Sequence, residues 1–361
     1  MDFPADKPLR PSWLTVPASR IYGFFAEFHH RQFDKRPARI KRVSVPVISV
    51  GNLTVGGTGK TPCVANLVVI MQDILRRRSI LGVPAILTRG YGRQVKAMRR
   101  LGPESAEGVD WREVGDEPLM LHRLLPEIPI VVDRDRQKGA DAAVRDYGSP
   151  VLLLDDGFQY RALHKDFEIV LLDGERPLGN GHLLPAGPLR EPVSALTRAD
   201  IIVGVGTAAS GMQAAKVLAD KYGKAFYEAF LRPGKPLRLS AGESNTPPKK
   251  VVLVSGIARD ERFYHSALEA GFQPCEHCHF RDHHPFSQTD VAHVQDVARK
   301  AGAEAILTTA KDAVRLASLT FDLPVWILPV EFCWKKPEEI TRLLERVLIP
   351  GGSGDPPRRG Q

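Results

Sequence analysis

Residues 47–62 constrain this chain more than any other stretch. Val47, Ile48, Ser49 and Val50 form a short apolar run, residues 51–62 read GNLTVGGTGKTP, and a helical period follows in Val64, Leu67, Val68, Met71 and Leu75. An apolar strand that passes through a glycine-rich turn into a helix leaves backbone N–H groups of the helix N-terminus free to cradle an anion. Pro62 falls where the opening turn of a helix tolerates proline. The spelling adds chemistry: Lys60 can reach the β- and γ-phosphates of a nucleotide, and the Thr61 hydroxyl can hold Mg²⁺. Thr54, Val55, Gly56, Gly57, Thr58, Gly59, Lys60 and Thr61 are therefore the candidate phosphate loop for ATP. One position departs from the usual G-x-x-x-x-G-K-[ST] pattern, because its first glycine is Thr54 here.

A phosphate loop needs a carboxylate that organises the metal, at the end of a neighbouring strand. Val151, Leu152, Leu153 and Leu154 run directly into Asp155 and Asp156, which is the Walker B arrangement, and Mg²⁺ takes few protein ligands. Read alone, Asp-Asp-Gly is also ordinary turn chemistry. Further apolar runs at 85–87, 130–132, 169–172 and 201–203 alternate with helical patterns. Such alternation predicts an α/β fold: a P-loop NTPase-like, mostly parallel sheet with helices on both faces. Residues 231–250 are rich in Pro, Gly, Ser and charge and mark a connection. A second alternation, at 251–254, 305–307 and 325–328, predicts a smaller α/β domain. The expected organisation is an N-terminal segment at 1–42, a P-loop domain at 43–230 and a linker at 231–250. The smaller domain follows at 251–335, then a helix at 336–349 and a disordered tail at 350–361.

Composition excludes several classes. With 361 residues, 43% hydrophobic and 25% charged, the chain can bury two cores, so a disordered or fibrous protein is ruled out. Four cysteines make no disulfide framework, no apolar leader precedes a cleavage site, and no run approaches the roughly 20 residues that span a bilayer. A cytoplasmic location is expected. The net charge of +8 favours anionic partners, and it is uneven. Residues 31–42 carry six basic side chains against one acid, directly after Ile21, Phe24, Phe25 and Phe28 at i, i+3, i+4 and i+7. That is how a peripheral membrane anchor reads, although an aromatic helix face can also pack on its own core. No interleaved basic and aromatic platform supports a nucleic-acid binder, and no obligate protein partner is inferred.

Taken in order, residues 51–62, Thr88-Arg89-Gly90-Tyr91-Gly92, Gly115-Asp116-Glu117-Pro118, Asp155-Asp156-Gly157-Phe158-Gln159, residues 184–191 (LPAGPLRE) and Ser255-Gly256-Ile257-Ala258 resemble the successive motifs of the tetraacyldisaccharide 4'-kinase family. The resemblance extends over nearly the whole chain. It implies transfer of the ATP γ-phosphoryl group to the 4'-hydroxyl of tetraacyldisaccharide 1-phosphate, giving lipid IVA, at the cytoplasmic face of the inner membrane. It also implies an active site between the two domains and an N-terminal helix that docks at an anionic membrane surface. Where the family has Thr-Glu-Lys-Asp, this chain has Thr309, Ala310, Lys311 and Asp312.

Through the resemblance Asp116 is the general base for the acceptor hydroxyl, with His283 as its partner and Asp282 the next candidate. Asp116 could instead be only a helix N-cap. Arg190 is expected to meet phosphate oxygens and to join Lys60 in spreading transition-state charge. Thr61, Asp155 and Asp156 are the expected Mg²⁺ partners, with Gln159 and Glu191 in the outer shell. Two other readings compete: a P-loop ATPase or GTPase switch acting on a protein or membrane partner, and zinc held by Cys275, Cys278 and nearby histidines.

Overall fold

The computed structural model describes residues 15–105, 108–239 and 246–349. Eight strands of a large sheet come first: β1 (Val47–Asn52), β2 (Ala85–Thr88), β3 (Arg99–Leu101), β4 (Ile130–Val132), β5 (Leu152–Asp155), β6 (Phe167–Asp173), β7 (Ile201–Val205) and β8 (Ala225–Pro233). A smaller sheet holds β9 (Leu237–Arg238), β10 (Lys250–Ser255), β11 (Gln273–His279), β12 (Ala305–Thr309) and β13 (Val325–Leu328). The last strand, β14 (Val330–Trp334), returns to the large sheet, whose order is β14-β8-β7-β6-β1-β5-β2-β4-β3. Its seven inner strands are parallel, and both edges are antiparallel.

Among the described residues ten α-helices accompany them. They are α1 (Thr15–Lys35), α2 (Lys60–Arg77), α3 (Trp111–Val114), α4 (Asp116–Leu124), α5 (Arg136–Tyr147), α6 (Ala209–Lys221), α7 (Asp260–Glu269), α8 (Gln288–Ala301), α9 (Ala310–Leu316) and α10 (Pro337–Leu348). Parallel strands covered on both faces must be apolar on both faces, and all six residues of β1 are buried. Ile48, Val50, Ile86, Leu153, Ile169 and Leu171 point to α2, α4 and α10. Their alternates Val47, Leu87, Leu152 and Leu154 point to α5, while Val170, Leu172 and Ile202 meet α6. The α2 stripe foreseen from the sequence is buried throughout, from Val64 to Leu75, with Cys63 added. Truncating one of its wholly buried members, Leu67→Ala, would cost about 2–5 kcal/mol.

Strand order reverses at β1, which has β5 on one side and β6 on the other. In open α/β sheets a crevice opens outside the carboxyl ends of the strands at such a point, and the phosphate loop follows β1 there.

The domain limits read from the sequence need correcting at both crossings. Strand β8 continues past residue 230, and β9, inside the expected linker, pairs with β13 of the smaller sheet. Strand β14, inside the expected smaller domain, pairs with β8 from Val330↔Pro233 to Trp334↔Ala229. Trp334 Nε1 also donates to Asn66 Oδ1 on α2 at 2.8 Å. A half-buried β8 would otherwise present an open sheet edge, and the returning strand closes it. We propose a larger unit made of 43–234 plus 330–349, with 235–329 set into it as the smaller one. The expected disordered tail at 350–361 lies outside the described residues, as do 1–14 of the N-terminal segment and 240–245 of the linker.

Helix α1 leans on the larger unit by a narrow stripe. Ser19 Oγ donates to Leu183 O at 2.8 Å, and a Cβ on Gly23 would lie 2.6 Å from Leu183 Cδ1. On the other side Ile21, Phe24, Phe25 and Phe28 remain 60, 68, 62 and 54% exposed, so the aromatic face does not pack on the protein's own core. Among the described residues no helix is long and apolar enough to cross a membrane.

Candidate active site

The candidate phosphate loop is built from three chain segments. Gly59 takes a left-handed φ of 83° as the N-cap of α2, a conformation that favours glycine. Gly51 lets the Asp155–Phe158 turn come close, since a Cβ there would sit 2.4 Å from Phe158 Cβ. The third segment runs alongside: Val55 N donates to Pro188 O at 2.8 Å, Thr54 bridges Leu189, and Arg190 N donates to Leu53 O at 2.7 Å. Thr54 is therefore held in an antiparallel bridge, and it is not among the residues with positive φ. A side chain costs nothing in such a backbone, which explains why threonine can stand where glycine is usual.

Lys60 Nζ lies 3.1 Å from Asn52 Oδ1 and 3.6 Å from Asp156 Oδ1. Asn52 Nδ2 in turn donates to Thr58 Oγ1 at 2.9 Å, so β1 and the loop are tied by one amide. Arg190 Nη1 donates to both oxygens of Asp156, at 2.9 and 2.8 Å, and to Gln159 Oε1 at 3.2 Å. Gln159 Nε2 reaches back to Asn52 O at 2.9 Å.

Asp155 ends β5 with only 2% of its surface exposed. Burial, then the neighbouring carboxylates of Glu117 and Asp156, push its carboxyl up to about 8, against the opposing pull of Lys60 and Arg136. Its Oδ1 is buried without a hydrogen-bond partner. Burial likewise raises Glu117, while Asp156 is held below the usual carboxylate range: burial opposes this, but Lys60 and Arg190 outweigh it. Three carboxyl groups sharing one pocket, one with an orphaned oxygen, call for a cation. Among the described residues no three His, Cys, Asp or Glu side chains form a ready cage. The same holds at Cys275 and Cys278, where the zinc reading finds no ligand set.

The far wall comes from the smaller sheet. His283 follows β11 in a left-handed conformation, φ 58°, and Asp156 has φ 52°. Ser79 is the one other non-glycine residue of this kind among the described ones. Strained backbone gathers at functional sites, and two of the three instances face this cleft. His283 Nδ1 is 2.9 Å from Asp116 Oδ2, and Lys311 Nζ is 3.1 Å from His283 Nε2 and 3.3 Å from Asp282 Oδ1. With Lys311 donating to Nε2, the imidazole carries its proton on Nδ1 and donates it to Asp116.

The hydrogen bond with Asp116 raises His283, although burial and Lys311 oppose it. At Asp116 burial pushes upward, but His283 and Lys311 prevail and the carboxyl lies low. Below this pair a fully buried ion pair, Asp312 with Arg315, fixes the loop. Gly256 N donates to Asp312 Oδ2, Arg315 donates to the carbonyls of Gly256 and His284, and His283 N donates to Gly256 O.

The N-cap of α4 is Gly115, with no side-chain cap, and Asp116 Oδ1 accepts only from the adjacent Glu117 N. Asp116 is therefore not the cap that its sequence position allowed. Glu191 needs a second correction. It does not line the cleft; its carboxylate, 1% exposed, turns away to His30 at 3.0 Å and Arg198 at 2.7 Å. Successive residues of an extended segment point to opposite sides, so Arg190 faces the carboxylates and Glu191 cannot. The sequence also left Asn52, Arg136 and Lys311 without assigned roles, though each belongs to this constellation. Ala310 packs its methyl against the larger unit's core where the family motif has glutamate.

The whole encloses a cleft of about 1800 Å³ between the two sheets. That exceeds the roughly 300–1,000 Å³ of an ordinary small-molecule site and leaves room for two substrates. Lys60, Asp155, Asp156 and Arg190 line one side; Asp282, His283 and Lys311 line the other.

A family model described as tetraacyldisaccharide-1-P 4'-kinase matches residues 11–349. A protein of Paramagnetospirillum magneticum named tetraacyldisaccharide 4'-kinase is 37% identical over 343 residues, 94% of this chain and 95% of that one. One of the same name from Syntrophus aciditrophicus is 35% identical over 336 residues, 88% of each. Among solved structures, the "apo" form of LpxK from Aquifex aeolicus, described as in complex with ATP, matches with a TM-score of 0.72 at 30% identity. The match covers 94% of this chain and 100% of that one.

Proposed function

The chain belongs to the tetraacyldisaccharide-1-P 4'-kinase family, and from that premise we propose how its residues transfer phosphate. The protein is an ATP-dependent kinase that phosphorylates the 4'-hydroxyl of tetraacyldisaccharide 1-phosphate and so forms lipid IVA. One observation supports the assignment of roles: the Lys60, Asp155, Asp156 and Arg190 cluster faces His283, the hydrogen-bond partner of Asp116, across a single cleft.

Backbone N–H groups of residues 54–61 and the Lys60 ammonium bind the β- and γ-phosphates of ATP. Arg190, which spans Asp156 and Gln159, places its charge beside the phosphate loop, where it meets the γ-phosphoryl oxygens. Thr61, Asp155 and Asp156 would hold Mg²⁺, with Gln159 beside them; the orphaned Asp155 oxygen and the crowded carboxylates support that fit. An ion held there would neutralise charge on the phosphate oxygens. Asp116, on α4 beside the cleft-lining Glu117, accepts the hydroxyl proton, and His283 from the opposite wall orients the carboxylate through Nδ1–H. The 4'-oxygen bonds to the γ-phosphorus, the bond from that phosphorus to the β–γ bridging oxygen breaks, and its electron pair leaves with ADP. Helix α1 rests on an anionic membrane surface, its exposed phenylalanines toward the acyl region and the basic residues of 31–42 near the headgroups.

The test is direct. Purified protein, labelled ATP, Mg²⁺ and tetraacyldisaccharide 1-phosphate in detergent micelles should yield a bisphosphorylated lipid. ATP hydrolysis that ignores the acceptor would favour the nucleotide-switch reading instead.

A further inference from the structure

The inner face of α1 is clasped by the same two loops that carry the reaction centre. Tyr22 Oη donates to the main-chain oxygen of Arg190 at 3.0 Å, and His30 Nε2 lies 3.0 Å from Glu191 Oε2. Arg161, a short way beyond Asp155 and Asp156, donates to His30 O at 3.0 Å and to Asp34 at 2.6 Å. Its guanidinium sits 5.7 Å from the Phe33 ring centre. Arg190 is thus gripped from both sides of its peptide: its N–H is tied to Leu53 at the mouth of the phosphate loop, its carbonyl to α1. One residue then separates the helix from the metal carboxylates, because the Arg190 side chain is the group that spans Asp156 and Gln159.

Chemistry at these contacts is of the fixed kind. Burial, then the Glu191 charge, raises the Tyr22 phenol, so it stays a donor. At Glu191 burial pushes upward, but the hydrogen bond with His30 and the Arg198 charge hold the carboxyl below its usual range. It remains an ionised acceptor 1% exposed, where an ionic hydrogen bond is strong.

We propose that α1 is a positioning element for phosphoryl transfer as well as an anchor: Tyr22 and His30 hold Arg190 and Glu191, so the helix that meets the lipid surface also sets the Arg190–Asp156 contact. The outer face of the helix meets lipid, the inner face fixes the centre, and seating the helix raises turnover beyond what concentrating the enzyme at its substrate supplies. This rests on the kinase reading and on α1 as the membrane contact.

The experiment uses the full chain. Tyr22→Phe removes one hydroxyl and His30→Ala removes the imidazole, while His30→Gln restores a donor near Nε2. For each, kcat and KM for ATP and acceptor are measured in mixed micelles, and binding is followed by sedimentation with anionic phospholipid vesicles. Tyr22→Phe and His30→Ala should each lower kcat about fivefold or more, the scale of one lost hydrogen bond. Acceptor KM and vesicle binding should stay within about twofold, since the outer face is untouched. His30→Gln should recover most of the loss, and Tyr22→Phe combined with Arg190→Lys should lose less than the product of the single effects. Unchanged kcat in both variants, or losses that merely track vesicle binding, would overturn the positioning role. Absence of transfer by the wild type would remove the kinase reading itself, a separate outcome visible in the same assay.

Discussion

His283 Nδ1 and Asp116 Oδ2 meet at 2.9 Å although the residues lie 167 positions apart, one at the start of α4 and the other in the loop after β11. The hydrogen bond ties the larger unit to the smaller one at the point where we propose that the acceptor hydroxyl loses its proton. A variant that keeps its shape while removing the base separates chemistry from architecture. Asp116→Asn leaves an oxygen for Glu117 N and disturbs no helix cap, because the cap is Gly115. At pH 8 its melting temperature should stay near wild type while kcat falls by about 10²–10⁴. Combined with His283→Ala, the loss should be smaller than the product of the two. Turnover within a few-fold of wild type would move the base elsewhere, first to Asp282.

The same pair gives a pH signature in stability. His283 is raised above its ordinary 6.5, so its contribution is complete below about that pH and is lost as pH rises through the folded value. Asp116 is lowered below its ordinary 3.8, so its share is present above that and is lost as pH falls through the folded value. The melting temperature of wild type minus that of Asp116→Asn should peak between about pH 4 and 6.5 and shrink toward pH 9. A difference that is flat over this range would show that the bond contributes nothing to folding.

Asp155 behaves oppositely. Its carboxyl rises from 3.8 to about 8, so the penalty for charging it is absent below the lower value, grows between the two, and is constant above. Without Mg²⁺, Asp155→Asn should be the more stable protein at pH 8.5, yet it should gain far less stability from added Mg²⁺ and transfer no phosphate. Calorimetry with and without the ion decides; lower stability of the variant without metal at pH 8.5 would contradict the crowded-carboxylate account.

Lys60→Ala and Thr61→Ala should each cost about 10²–10³ in kcat with little change in melting. Helix α2 is held by its buried stripe from Cys63 to Leu75, not by the groups at its mouth. Near-wild-type turnover in either would take the phosphate loop out of the mechanism.

Replacing Phe24, Phe25 and Phe28 together by serine should weaken binding to anionic vesicles about tenfold or more, since a phenylalanine side chain is worth about 1.5–3 kcal/mol when fully buried. Binding by the wild type should also fall with salt, each basic residue near the surface contributing on the order of 1 kcal/mol. Undiminished, salt-insensitive sedimentation would refute the role of α1 at the membrane.

Much of the larger unit was legible because β1 and α2 change hydrophobic period within a few residues, from a continuous buried run to a 3.6-residue stripe. The positions of the glycine-rich loop and Asp155 at one mouth of the sheet could be read for the same reason: each is fixed to the end of such a strand. What escaped depends on distance in the chain. Nothing local in VEFCW says that Trp334 will sit beside Ala229 and donate to Asn66. Glu191 was misjudged because neighbouring in sequence is not facing the same way, and Lys311 was left unassigned because its partner His283 reaches it only through the fold.

The chain crosses between the two sheets twice, once after β8 and once before β14, and the crossings lie side by side: Gly234 N donates to Pro329 O at 2.8 Å. A body attached by one strand can swing and roll; one attached by two adjacent strands is restrained in roll, and Val314 of α9, buried in the larger unit's core, is a third tie between the units. The wall that carries His283 is thereby held opposite Asp155 and Asp156 by the connectivity of the chain as well as by side-chain contacts.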